Sequence, residues 1–90
     1  MWDIRLSTKF KKDLKRYQNQ PRKIEELGVV LNALRETGTV PASYKPHALA
    51  GDFKGCMECH IEGDFLLIWV DEEEQVISLV RLGSHSELFK

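Results

Sequence analysis

Residues 53–82, FKGCMECHIEGDFLLIWVDEEEQVISLVRL, decide the fold class of this chain. Apolar runs between turn-forming residues predict three strands, at about residues 53–61, 64–71 and 75–82. A tight turn at residues 62–64 joins the first two strands, and a second turn lies within DEEE. Such short connections favour antiparallel pairing. The middle strand is apolar on both faces, which predicts a central strand that is covered on both sides.

A strand and a helix are predicted at the start of the chain. Residues 2–7, WDIRLS, alternate apolar and polar side chains with the period of a half-buried strand. Ser7 or Thr8 can cap a following helix, whose lysines occupy the faces that its apolar residues leave free. Those apolar residues, at helical spacing, are Phe10, Leu14 and Tyr17.

A second helix and a loop separate this first unit from the three strands. Pro21 suits the first turn of the helix, and Gly38 supplies its C-terminal stop. Residues 39–51 contain two prolines and no sustained period, so they are predicted as a loop. The chain, residues 1–90, is therefore predicted to be one α+β domain in the order β-α-α-β-β-β, with two N-terminal helices packed on a small antiparallel sheet.

The composition is typical of a globular protein, with 42% hydrophobic and 30% charged residues. The best apolar run, FLLIWV, ends at Asp71 and is far shorter than the roughly 18 residues of a membrane span. The N-terminus has no pattern of a secretion signal, so we expect a cytoplasmic protein.

The net charge of −1 conceals an asymmetry between the two halves of the chain. Residues 1–54 contain eleven Lys or Arg against six Asp or Glu, a charge of +5, whereas residues 55–90 contain two against eight, a charge of −6. A basic first half can bind a polyanion, and a solvated helix face is the alternative interpretation.

The pattern Cys56-x-x-Cys59-His60 resembles an attachment site for covalently bound haem. In a strand, however, side chains alternate between the two faces, so Cys56 and Cys59 are predicted to lie on opposite faces. The same alternation assigns Phe53 and Cys59 to the core face. Two cysteines placed in this way cannot easily share a haem, a metal ion or a disulfide. We therefore predict free, reduced cysteines, one of them buried, with no metal or cofactor.

Three histidines, His47, His60 and His85, are the strongest candidates for chemistry, although each taken singly is more often structural. With Asp64 close to His60 along the chain, they suit cleavage of a phosphodiester bond in RNA. This reaction needs a base for the 2′-hydroxyl proton, an acid for the leaving 5′-oxygen and a cation for the phosphoryl charge. Histidine can act as acid or base near neutral pH without a metal ion.

Arg81 and Phe89 are candidate substrate contacts, and each has a structural alternative. Arginine can bind phosphate through its planar fork, but Arg81 can equally pair with Glu58 or Asp64 across the sheet. An exposed aromatic ring can stack on an unpaired base, but Phe89 can equally fold back onto the core.

Three segments in this order, YKPHALAG, ECHIEGDFLLIW and RLGSHSELF, resemble the YafQ branch of the RelE-like toxins of type II toxin–antitoxin systems. The resemblance spans nearly the whole chain and implies a RelE-like fold. It also implies an endoribonuclease that cuts translated mRNA in the ribosomal A site without metal.

The resemblance further implies a set of site residues. The catalytic residues that it implies are His47, His60, Asp64 and His85, with His85 as the acid and either His60 or Asp64 as the base. The substrate-binding residues that we expect are Arg81, Phe89, Lys45, Glu58 and Lys54.

The implied partners are a small cognate antitoxin, the ribosome and mRNA, with promoter DNA bound only through the antitoxin. One feature departs from the family, because a sequence pI near 6.3 is low for a nuclease that binds the ribosome. Two other hypotheses remain at this point. The chain can be a catalytically weak module that binds the antitoxin, or a small haem or metal protein built on CMECH.

Overall fold

The computed structural model describes residues 1–89, which form one mixed sheet with helices packed against it. The strands are β1 (Asp3–Leu6), β2 (His47–Ala48), β3 (Met57–Glu62), β4 (Phe65–Glu72) and β5 (Val76–Gly83). The helices are α1 (Thr8–Lys15), α2 (Pro21–Thr37) and α3 (His85–Leu88), and two 3₁₀ turns lie at Ala42–Tyr44 and Gly51–Phe53. None of the helices described is long and apolar enough to cross a membrane.

The strand order is β1-β5-β4-β3-β2. The antiparallel pairing predicted from the short turns is confirmed for β3, β4 and β5. β1 instead lies parallel to β5 at one edge, so the sheet as a whole is mixed. Both N-terminal helices and the strands β2, β3 and β4 lie between β1 and β5 along the chain, and only short connections enforce antiparallel pairing.

Both predicted helices are present, but α1 ends at Lys15, so Tyr17 lies in the turn after the helix and not within it. The Ser7 hydroxyl accepts a hydrogen bond from the Phe10 amide at 3.0 Å and caps α1. Pro21 opens α2, and Gly38 ends it in the left-handed conformation with a φ of 77°. The short strand β2 and the single turn α3 are additions to the predicted order.

The strand predicted at about residues 53–61 begins later than its sequence pattern suggests. Gly51–Phe53 forms a 3₁₀ turn and Gly55 has a φ of 94°, so β3 starts only at Met57. The alternation that assigned Phe53 to the core face is therefore wrong for that residue. Its side chain packs with a second cluster on the opposite face of the sheet.

Two apolar clusters cover the two faces of β4, as its apolar sequence predicts. The main core lies between the sheet and the helices α1 and α2, and its fully buried members include Phe10, Val30, Leu34, Cys59, Phe65, Leu67, Ile77, Leu79 and Leu82. The smaller cluster on the other face contains Leu66, Ile68 and Leu88, with Leu49, Phe53, Cys56, Val80 and Phe89 packed against it.

Gly38→Ala is expected to destabilise the fold by about 1–3 kcal/mol. Its φ of 77° disfavours any side chain, and an added Cβ would lie 2.6 Å from the ring of Trp2. Urea unfolding of the variant measures this loss. Gly28→Ala is the matched control, because nothing lies within 4 Å of that added methyl group inside α2. It should gain about 0.5–1 kcal/mol through helix propensity, and a Gly38→Ala variant with the same gain would contradict this account.

Candidate active site

The face of the sheet that α1 and α2 leave uncovered carries two of the predicted site residues. In the β3–β4 pair, Glu58 lies opposite Ile68 and His60 lies opposite Leu66. The aliphatic side chains of Ile68 and Leu66 belong to the smaller cluster. β2 pairs with β3 so that His47 lies opposite Glu58. The sheet register therefore brings His47, Glu58 and His60 together.

The ring of His47 contacts an oxygen atom through each nitrogen. Its Nδ1 lies 2.9 Å from the carbonyl oxygen of Lys45, and its Nε2 lies 3.1 Å from Oε1 of Glu58. Lys45 presents that carbonyl from a left-handed conformation, with a φ of 53°. Both ring nitrogens of His47 therefore face oxygen atoms, which can accept hydrogen bonds from them.

Glu58 is a buried acid beneath two histidine rings. Its side chain is 6% exposed, and Oε1 lies 3.1 Å from His47 and 3.9 Å from Nε2 of His60. Its other oxygen, Oε2, is buried and has no hydrogen-bond partner among the described residues. We predicted Glu58 to bind substrate, whereas the contacts of this carboxylate are with the two histidines.

The turn between β3 and β4 connects this group to α3. Oδ1 of Asp64 accepts a hydrogen bond of 2.7 Å from the backbone amide of His85, the first residue of α3. His60 lies nearby, with Nδ1 at 3.4 Å from the carbonyl oxygen of Gly63 in the same turn. His85 itself is exposed. One end of the sheet therefore presents His47, His60, Asp64 and His85, whose catalytic roles stay a prediction.

Phe89 combines the two interpretations that the sequence left open. Its ring packs edge-on against Phe53, with centroids 5.5 Å apart, and so joins the smaller cluster. The same ring lies against His85, with centroids 4.9 Å apart. Phe89 is half-buried, and it supports the imidazole from the side of the cluster. Lys54, the remaining predicted contact, is exposed after the turn Gly51–Phe53.

Arg81 pairs with a helix and not with an acid of the sheet. Its Nε donates to Oδ2 of Asp13 at 2.7 Å and its Nη2 donates to Oδ1 at 3.1 Å. The alternative pairing with Glu58 or Asp64 is therefore wrong. The hydrogen bonds from Arg81 to Asp13 raise the pKa of the guanidinium above its ordinary value, although burial lowers it. Its cation is permanent at any physiological pH.

An open cleft of about 360 Å³ surrounds Arg81 and Asp13. Lys9, Lys12 and Arg16 of the N-terminal region complete its lining. Arg16 also contacts Asp13, so this one acid faces two arginines. Three basic residues of the first half therefore lie on one surface with Arg81, whereas Lys11 and Lys15 line a separate cleft.

The two cysteines lie on opposite faces of the sheet, as predicted. Cys59 is fully buried in the main core, whereas Cys56 packs against the smaller cluster, and both are free thiols. Burial raises the pKa of Cys56. Burial and then the charge of Glu58 raise the pKa of Cys59 to about 12. Two protonated thiols on opposite faces cannot jointly attach a haem. Among the described residues, no three His, Cys, Asp or Glu side chains are placed so that they could hold a metal ion together.

Thiol labelling of the native protein at pH 8 is expected to modify Cys56 slowly and Cys59 not at all. The thiolate is the reactive form, and a raised pKa reduces its population. The neutral thiol of Cys59 stabilises the fold below the ordinary pKa near 9.0, and this contribution is lost as the pH rises towards about 12. Mass spectrometry with and without denaturant measures both sites. Equal labelling of the two thiols in the native state would contradict the assigned burial.

Sequence reasoning missed three residues that hold the site. Asp13, Tyr17 and Glu87 were not among the candidates. Asp13 accepts hydrogen bonds from Arg81, Glu87 accepts one from the amide of Ser84 just before α3, and Tyr17 donates one to Glu87. Ser84 and Glu87 form a capping box, so the pattern S-x-x-E was a visible signal for one of them. Asp13 and Tyr17 carried no such signal, because their partners lie in the last ten residues of the chain.

Comparison with known proteins places this chain in a family. The model of the family described as bacterial toxin of type II toxin–antitoxin system, YafQ, matches residues 2–90. The chain belongs to the YafQ toxin family. The mRNA interferase toxin YafQ of Escherichia coli K12 is 33% identical over 88 residues, covering 97% of this chain and 95% of that protein. The resemblance inferred from the three motifs is confirmed.

Solved structures of YafQ relatives share the fold over the whole chain. The toxin in the E. coli DinJ–YafQ complex has a TM-score of 0.85 at 32% identity, with 100% of both chains covered. A metal-bound toxin from Helicobacter pylori has a TM-score of 0.86 at 39% identity, with 99% of this chain and 100% of that chain covered. The predicted α+β fold is therefore the fold of this toxin family.

Proposed function

We propose that this YafQ-family toxin is an mRNA interferase that cuts translated mRNA in the ribosomal A site. The observation that carries the proposal is the grouping of His47, His60 and His85 with Asp64 at one end of the sheet, in a chain whose E. coli relative bears the name mRNA interferase. The proposed place of action is the cytoplasm, where translation occurs.

The proposed reaction transfers two protons and needs no metal ion. His60 accepts the proton of the 2′-hydroxyl, and the 2′-oxygen then bonds to phosphorus to give a 2′,3′-cyclic phosphate. The bond from phosphorus to the 5′-oxygen breaks, and His85 donates its proton to that oxygen. Asp64 is less suited as the base than His60, because one of its oxygens already accepts from the His85 amide. His47 supplies positive charge for the phosphoryl oxygens.

The charge distribution supports contact with RNA despite the low pI. The cleft that Lys9, Lys12, Arg16 and Arg81 line gathers cations on one surface. The acidic turn after β4 lies at the other end of the β4–β5 pair, because Glu72 is opposite Val76 whereas Leu66 is opposite Gly83. Seven residues of strand separate the two ends, a distance of about 20 Å. The acidic turn therefore does not oppose RNA at the site.

The proposed regulator is a cognate antitoxin, since a relative is solved as a DinJ–YafQ complex. Contact with promoter DNA is assigned to the antitoxin alone. In this proposal the toxin has no cofactor.

Mapped cleavage in a reconstituted translation reaction tests the proposal. The purified toxin is added to ribosomes translating a defined mRNA, with one arm lacking ribosomes and one arm lacking divalent-metal contaminants after chelator treatment of the toxin. We expect codon-dependent cuts with 5′-hydroxyl ends, suppressed when the antitoxin is present. Intact mRNA with normal antitoxin binding would instead identify a catalytically weak binding module. Cleavage that disappears in the chelator arm would contradict metal-independent chemistry.

A further inference from the structure

The helix that carries His85 is too short to hold itself in place. α3 spans only His85–Leu88, and a single turn has no stability of its own in water. A general acid must nevertheless meet the leaving oxygen within hydrogen-bond reach. Side-chain contacts must therefore fix the position of His85, and two of them meet at Glu87, which bonds to the chain before α3 and to Tyr17 outside it.

Glu87 ties α3 to its own N-terminus. Its Oε1 accepts a hydrogen bond of 2.8 Å from the amide of Ser84, and the Ser84 hydroxyl accepts one of 3.2 Å from the Glu87 amide. The carboxylate folds closely over the chain, since a Cβ on Gly83 would lie 2.7 Å from the same oxygen. Glycine at this position leaves room for the contact. Glu87 therefore determines the geometry of the turn that precedes His85.

Tyr17 connects the Glu87 carboxylate to the main core of the protein. Its hydroxyl donates to Oε1 of Glu87 at 2.5 Å, and its ring packs on Phe65 of the main core with centroids 4.8 Å apart. Burial, followed by the hydrogen bond with Glu87, raises the pKa of Tyr17 to about 12, so the hydroxyl remains a donor. The hydrogen bonds from the Ser84 amide and the Tyr17 hydroxyl also lower the pKa of Glu87, so that it remains an acceptor.

A second set of contacts connects Glu87 to Arg81 through Arg16 and Asp13. Arg16 lies one residue before Tyr17, and its Nε is 3.9 Å from Oε2 of Glu87. Arg16 also contacts Asp13, which accepts two hydrogen bonds from Arg81. The end of α1 and the residues after it therefore hold both the predicted phosphate ligand and the helix of the predicted acid.

From these contacts we propose that Tyr17 and Glu87 are positioning residues for His85. They touch no substrate in this account. They hold α3 so that the imidazole of His85 meets the leaving oxygen while Phe89 supports its ring. The inference rests on the proposed function, because it assigns these two residues to the same cleavage step.

Three variants test the inference, with single-turnover cleavage and substrate affinity measured separately. Tyr17→Phe removes only the hydroxyl, and we expect the cleavage rate to fall about tenfold with KM unchanged, because small misplacements of a catalytic group are costly. Glu87→Ala removes the acceptor for both bonds, and its cleavage rate should fall about 100-fold. Glu87→Gln keeps an acceptor oxygen for Ser84 and Tyr17, and it should recover to within about threefold of the parent toxin.

Ser78→Ala is the matched control. It also removes a hydrogen bond from a hydroxyl to a glutamate, since Ser78 Oγ donates to Glu72 Oε2 at 2.6 Å, but it does so at the far end of the β4–β5 pair. We expect its cleavage rate to stay within about twofold of the parent. This control separates the loss of any such bond from the loss of the one that positions α3.

A double-mutant cycle separates positioning from general stability. If Tyr17 acts through His85, then Tyr17→Phe has no further effect on the residual cleavage of His85→Ala. A stability defect would lower the residual activity of that background as well. A folded Glu87→Ala toxin that cleaves at the parent rate, or a Glu87→Gln toxin no better than Glu87→Ala, would overturn the inference alone. A parent toxin without cleavage would overturn the proposed function and this inference together.

Discussion

His85→Ala is expected to lower ribosome-dependent cleavage by about 100- to 10,000-fold, the usual contribution of a general acid. His85 is exposed at the first position of α3, and its backbone amide donates to Asp64 whichever side chain is present. The substitution therefore removes the imidazole and keeps the fold. The measurement is the rate of mRNA cleavage at saturating toxin, with urea unfolding of the same sample as the test of structure.

Ser86→Ala provides the control for His85→Ala. Ser86 is the next residue of α3 and is exposed, and its substitution leaves the imidazole of His85 unchanged. Its cleavage rate should match that of the parent toxin. A folded His85→Ala toxin that still cleaves mRNA at full rate would remove His85 from the mechanism, and the acid would then have to be sought at His47 or His60.

Asp13→Ala is expected to cost about 3–5 kcal/mol of stability, the largest loss that we expect from a single substitution in this chain. The Asp13 side chain is 3% exposed and accepts hydrogen bonds from Arg81 and from the backbone amide of Leu82. Removing the carboxylate leaves a partly buried guanidinium and a buried amide without their acceptor. Urea unfolding measures the loss of free energy.

Asp3→Ala is the matched control for Asp13→Ala. Asp3 also pairs with an arginine, Arg5, but both side chains are about two-thirds exposed, at 70% and 66%. Exposed ion pairs contribute about 0–1 kcal/mol. Equal stabilities of the two variants would show that Asp13 is not the anchor of Arg81. A toxin with Asp13→Ala that is still folded should also bind RNA less tightly, because the guanidinium loses its fixed orientation.

The strands and helices were predictable from the sequence because each depends on contacts that are close along the chain. The capping by Ser7, the stop at Gly38 and the turn at residues 62–64 are local. The alternation from Cys56, just before β3, to Cys59 within it correctly placed the two cysteines on opposite faces. Alternation failed at Phe53, where a 3₁₀ turn replaces the extended backbone that the pattern assumes.

The sequence by itself also determined the family and the four residues that converge at one end of the sheet. Only the tertiary structure decided what holds them. Asp13 and Arg81 are 68 positions apart, and Tyr17 and Glu87 are 70 positions apart. No periodicity or spacing relates such pairs, because they meet only when β5 lies beside β1 and brings the C-terminal end of the chain against α1. The contacts that position the site are therefore consequences of the pairing of β1 with β5.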